Sequence, residues 1–137
     1  MPFTRIAIPS GKPAAFQQQL SRILHHNLVT HFGVPADDCF QLIDQYDADS
    51  RVFDRHYLTG TRSDEFVLFQ ITAGRPRSTD QKWALYQGLA KQLHDDLGLS
   101  PDDVMVVIQF TASEDWSFGG GRMFELDANT AEQRPQG

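Results

Sequence analysis

The chain has 137 residues, 40% of them hydrophobic and ten of them phenylalanine, enough apolar material for one domain with a genuine core. No apolar run approaches the roughly 18 residues needed to span a bilayer, and a net charge of −6 argues against nucleic acid or an anionic membrane as partner. The one cysteine, Cys39, excludes an internal disulfide framework and suits a reducing cytosol, so a cytoplasmic location is expected.

The opening stretch, Met1-Pro2-Phe3-Thr4-Arg5-Ile6-Ala7-Ile8, reads as a strand that starts beside the initiator methionine, with no leader before it. Methionine is commonly trimmed ahead of a small residue, and trimming would leave Pro2 with a free secondary amine. An α-amino group titrates near about 7.7–8.0, so its surroundings can make it an acid or a base around neutrality. Taken alone, the proline is only a residue tolerated at a strand's first position. The segment Ser10-Gly11-Lys12-Pro13 then turns the chain. Phe16, Leu20, Ile23, Leu24, Leu28 and Phe32 fall at helical spacing, and Gly33 is a natural stop. A connector over 34–38 leads to a strand over 39–44, where Cys39 is expected to pack as an inert thiol.

Between 45 and 64 the pattern weakens, and Val52-Phe53 with His56-Tyr57-Leu58 predict a short hairpin or a covering loop. A clear strand follows over 65–73. After Gly74-Arg75-Pro76-Arg77, Ser78 to Gln81 has the form of a capping box. The helix it opens has Trp83, Tyr86, Leu89, Ala90, Leu93 and Leu97 as its expected buried stripe and Gly98 as its end. A strand over 104–110 comes next, then a strand or hairpin over 116–126 carrying Gly119-Gly120-Gly121. From 129 onward the chain is polar and is expected to fray.

A repeat underlies this order. Gly33-Val34-Pro35-Ala36-Asp37-Asp38 matches Gly98-Leu99-Ser100-Pro101-Asp102-Asp103, 65 residues on. The chain is therefore expected to form one domain over 1–128 from two strand-helix-strand units, about 1–64 and 65–128, with a tail over 129–137. Helical crossovers make each unit's strands parallel. The expected fold is α+β, a mixed four-stranded sheet with both helices on one face. If the two units pack about a pseudo-two-fold, Pro2, the Asp37-Asp38 pair, Arg75 and Arg77 converge at one end of the sheet. The second unit has Val67 where the first has Pro2, so only one end can hold the full set. Arginines suit a carboxylate ligand, and an adjacent amine can move a proton. Which charge that amine carries stays open at this level, since two cations would lower its pKa and an ionised Asp38 would raise it.

Met1-Pro2, the run Phe32 to Asp38, Arg75-Pro76-Arg77-Ser78 and Asp115-Trp116-Ser117-Phe118-Gly119 together resemble the tautomerase superfamily, and within it the malonate semialdehyde decarboxylases. The likeness runs from the start to about Leu126. It implies a homotrimer of β-α-β repeats with no metal or organic cofactor, acting on a small carboxylate. By that resemblance Pro2 is the catalytic amino-terminal proline, Asp38 its acidic partner, and Arg75 and Arg77 hold and polarise the substrate. Trp116 and Phe118, with Phe124 and Leu126, look like an apolar wall that strips water from a departing carboxylate. The reaction implied is decarboxylation of a 3-oxo acid with Pro2 as general acid.

A keto-enol tautomerase, or a hydratase or dehalogenase-like enzyme on a small unsaturated or 2-oxo acid, uses the same parts. A non-enzymatic trimeric binding module is the reading outside enzymology. His25, His26 and His31 do not fall at metal-ligand spacing, and no second ligand set accompanies them. His25 or His26 is instead similar to the histidine that cis-3-chloroacrylic acid dehalogenases place near the proline. The triple glycine lacks the Lys-Ser/Thr and helix of a phosphate loop and reads as a tight hairpin or bulge.

Overall fold

Two strand-helix-strand units build the molecule. A computed structural model, describing residues 1–125, has β1 (Pro2–Pro9), α1 (Ala14–Phe32), β2 (Gln41–Tyr46), β3 (Val67–Ala73), α2 (Thr79–Leu97) and β4 (Val104–Phe110). The strands lie in the order β2-β1-β3-β4. The β1–β2 and β3–β4 pairs are parallel, while β1 and β3 meet antiparallel at the centre. Ile6 and Ile8 of β1 and Phe69 and Ile71 of β3 share one core with Leu24 and Leu28 of α1 and Leu89 and Leu93 of α2. Both helices therefore cover the same face, and the expected α+β architecture holds. Neighbours in the strands alternate away from this core, so Arg5, Gln70 and Val107 lie on the open face.

The repeat is visible in the helices. Each has 19 residues and ends on a left-handed glycine, Gly33 or Gly98. Their contact includes a hydrogen bond of 3.0 Å from Asn27 Nδ2 to Gln92 Oε1, residues themselves 65 apart. Single 3₁₀ turns at Ala48–Ser50 and Ser113–Asp115 follow β2 and β4 at matching places. The capping box of α2 forms, with Gln81 N donating to Ser78 Oγ and Ser78 N to Gln81 Oε1.

Several local expectations change. The strand expected from residue 39 starts at Gln41, and Cys39 is exposed rather than packed, because it lies in the irregular stretch between the turn at Ala36-Asp37 and the start of β2. In α2 the row Leu85, Leu89, Leu93 faces the sheet, whereas Trp83 is 60% exposed. This aliphatic row, spaced every four residues, fits the sheet surface, and the bulky aromatics are turned aside. Residues 51–66 form a covering loop without a strand, and 116–125 carries one isolated bridge, Gly119 to Arg122. Leu126 and the tail over 129–137 lie outside the described residues.

Candidate active site

The sheet order carries separate segments to one end of the molecule. Parallel β1 and β2 begin there, and antiparallel β3 finishes there, with Ala73 opposite Pro2. Gly74 N donates to the Met1 carbonyl at 3.1 Å, and a Cβ on Gly74 would collide with the Met1 side chain. Glycine at 74 leaves room for the Met1 side chain where the segment bearing the arginines meets the start of the chain.

Asp38 sits on a turn in which its N–H donates to the Pro35 carbonyl at 3.0 Å. His25 ties that turn to α1, its Nε2 lying 2.7 Å from the Ala36 carbonyl. Asp38 Oδ2 accepts from the terminal ammonium of Met1 at 2.6 Å. Burial, the largest influence, holds that ammonium's pKa below its ordinary value; Asp38 opposes the shift, and Arg77 and Arg75 add to it. Pro2 is buried as the first residue of β1, and while Met1 is attached its nitrogen is an amide carrying no proton.

The arginines are seated on the end of α1. The Phe32 carbonyl accepts from Arg75 Nη2 at 3.2 Å and from Arg77 Nε and Nη2 at 3.2 and 3.0 Å. Carbonyls of a helix's last turn lack partners within the helix and carry partial negative charge, so they hold cations well. Arg77 also lies over the Phe32 ring, 5.1 Å from its centroid, donates from Nη1 to the Arg75 carbonyl, and is only 5% exposed. Its pKa is pushed down to about 10, by burial first and then by Arg75, with Asp38 opposing. Arg75 Nε is buried and has no partner among the described residues. Two guanidiniums and an amine are thus set against the single carboxylate of Asp38, a surplus of positive charge suited to an anion.

An aromatic wall stands beside these charges. Trp116 and Phe118 stack with centroids 5.6 Å apart, and Phe124 meets Phe118 edge-on at 5.5 Å. The wall is anchored to the strand leading to the arginines: Trp116 Nε1 donates to Thr111 Oγ1 at 2.6 Å, which donates to the Ala73 carbonyl at 3.1 Å. Pro2, Asp38, Arg75 and Arg77 are therefore gathered at one end, with Trp116, Phe118 and Phe124 beside them; Leu126 falls outside the described residues. Sequence reasoning passed over Phe40, whose ring lies 6.1 Å from Phe118, and over the Phe32 carbonyl and Thr111. An exposed aromatic two places after Asp38 was a signal for Phe40; a main-chain carbonyl leaves none. Among the described residues no three His, Cys, Asp or Glu side chains gather as a metal-binding group.

Residues 38–119 match the family model described as tautomerase enzyme. The chain is 39% identical over 122 residues to the probable tautomerase YusQ of Bacillus subtilis (strain 168), covering 89% of this chain and 96% of that relative. It is similar to a crystal structure of malonate semialdehyde decarboxylase, solved to explain decarboxylase and hydratase activities, with a TM-score of 0.81, 36% identity and coverage of 88% and 92%. It also shares its fold with the symmetric trimer of wild-type fused 4-OT, with a TM-score of 0.72, 21% identity and coverage of 88% and 94%.

Proposed function

The chain belongs to the tautomerase family of enzymes, and from that premise we propose that it decarboxylates a small 3-oxo acid such as malonate semialdehyde, with Pro2, freed of Met1, as general acid. The observation that carries this reading is the set of charges at one end of the sheet: the Met1 amine, beside Pro2, on Asp38, and two arginines, Arg77 buried and Arg75 half-buried, on the Phe32 carbonyl. Arg75 and Arg77 hold the substrate and polarise its carbonyl, and Asp38 orients the amine. The bond to the carboxylate breaks, its electron pair forms the enol, the ammonium proton goes to the former carbonyl oxygen, and CO2 leaves. Trp116, Phe118 and Phe124, with Leu126, keep water from the departing group, which weakens the solvation that would hold the carboxylate back. No step calls on a cofactor.

A second reading is favoured by one specific observation. Burial holds the Met1 amine below its ordinary pKa at this end of the sheet, and the same burial acting on Pro2 once Met1 is gone would favour a neutral nitrogen acting as base, the role a keto-enol tautomerase needs. Turnover of malonate semialdehyde against a keto-enol substrate, in protein whose intact mass shows loss of Met1, decides between them. Failure of both substrates would sink the assignment.

The assembly in this reading is a homotrimer located in the cytoplasm. Support comes from the open sheet face, where Leu42, Met105 and Val107 are about half exposed, and from the trimer that shares the fold. No helix among the described residues is long and apolar enough to cross a membrane.

A further inference from the structure

The repeat gives the sheet a second end, laid out like the first. There the ends of β1 and β2 meet residues 48–53, as the ends of β3 and β4 meet residues 113–118 at the first end. Arg51 and Phe53 stand where Trp116 and Phe118 stand 65 residues later. This end has no terminal amine, because Val67 takes the place of Pro2 inside the chain. Asp103, the counterpart of Asp38, is closed off, accepting from Ser63 N and Ser63 Oγ at 2.6 Å each.

What this end does hold is a guanidinium. Arg51 donates from Nη2 to the Phe66 carbonyl and lies over the rings of Phe53 and Phe66, 5.2 and 5.3 Å from their centroids. Its Nη1 is cut off from solvent and donates to nothing among the described residues. The carboxylates near enough to act on Arg51 are committed elsewhere: Asp64 to Arg55 at 2.7 Å, Glu65 to Lys12 and Asp103 to Ser63. A cavity of about 230 Å³ opens here, lined by Ser10, Tyr46, Arg51, Phe53 and Arg55 among others. A second of about 240 Å³ shares Tyr46, Arg51 and Phe53 and continues over apolar Ala7 and Leu68.

A buried N–H without an acceptor is costly, and a guanidinium's preferred acceptor is a carboxylate. We propose that this cleft binds a small carboxylate with an apolar body, its charge on Arg51 and its body against Tyr46 and Phe53. The ligand is bound and not turned over, since the cleft has neither the amine nor a free acidic partner. The inference does not depend on the reaction assigned to the first end.

Benzoate titrated into the full-length protein in chloride buffer, followed by amide NMR, tests this. Saturable shifts are expected at Ser10, Tyr46 and Arg51, with a Kd on the order of 1 mM for so small a ligand. Arg51→Met should weaken binding about tenfold or more through loss of a charge-assisted bond. Ala48→Glu, which sets a carboxylate at the rim and leaves the stack around Arg51 intact, should do the same if the methionine variant does not fold. Arg75→Ala should leave these shifts in place, and inorganic phosphate, lacking an apolar body, should bind more weakly than benzoate. The proposal is overturned if no saturable shift arises at these residues by about 50 mM benzoate, if Arg75→Ala abolishes the shifts while Ala48→Glu does not, or if phosphate binds equally well.

Discussion

At the scale of single residues, the proposed chemistry turns on one nitrogen and its neighbours. In protein free of Met1, Pro2→Ala should lower kcat/KM by about 100-fold or more, the usual contribution of a positioned acid or base. The sign of the pH dependence separates its roles. An amine acting as acid works while protonated, so decarboxylation should be lost as pH rises through the Pro2 amine's pKa. An amine acting as base works while neutral, so tautomerisation should instead be lost as pH falls through that same pKa. Rate measurements between pH 5 and 9 on both substrates would show which holds. Arg77 is a different case, because its buried head also donates to the Phe32 and Arg75 carbonyls. Arg77→Ala should cost about 2–4 kcal/mol of stability, by urea unfolding, in addition to any loss of activity, since it strips partners from a buried carbonyl.

Among the secondary elements, α1 does more than fill the core. Its last carbonyl fixes both guanidiniums, and Gly33, at φ +66°, ends the helix where a Cβ would stand 3.4 Å from Arg75 Nη2. Gly33→Ala should lower stability by about 1 kcal/mol, the cost of a left-handed backbone without glycine. Gly33→Asn, which tolerates that backbone, should recover most of that stability in thermal unfolding. The start of α2 offers a control remote from the chemistry. Ser78→Ala removes the side chain that caps the helix and should cost about 1 kcal/mol in thermal unfolding with KM unchanged. Had KM moved with it, the loop bearing Arg75 and Arg77 would be coupled to the helix it precedes.

On the scale of the whole molecule, a sheet covered by helices on one face leaves the other bare. Leu42, Met105 and Val107 line that bare face, with Arg5 and Asp44 paired across it at 3.1 Å. Subunit association through this face predicts that Val107→Lys, which buries an unpaired charge in the contact, dissociates the oligomer; light scattering on the eluted protein would read the mass directly. A variant that stays assembled would place the contact elsewhere.

Much of this architecture was legible in one dimension. The two glycine stops, the capping box and the 65-residue repeat show in the order of residues, so periodicity and turn chemistry suffice to find the helices and the parallel pairs; the grouping of Pro2 with Asp38, Arg75 and Arg77 followed only on condition of a pseudo-two-fold, which the antiparallel β1–β3 pair supplies. Tertiary structure alone decided the rest. The choice of Leu85, Leu89 and Leu93 over Trp83 for the buried row depends on the shape of the sheet beneath α2, and the exposure of Cys39 depends on where β2 begins to pair with β1. The seat of the arginines is a main-chain carbonyl, which no residue type announces. The second cleft needs Arg51 Nη1 to be buried without an acceptor and the neighbouring carboxylates to be engaged already, a condition set by the packing of the loop over 51–66 and by nothing in its order of residues.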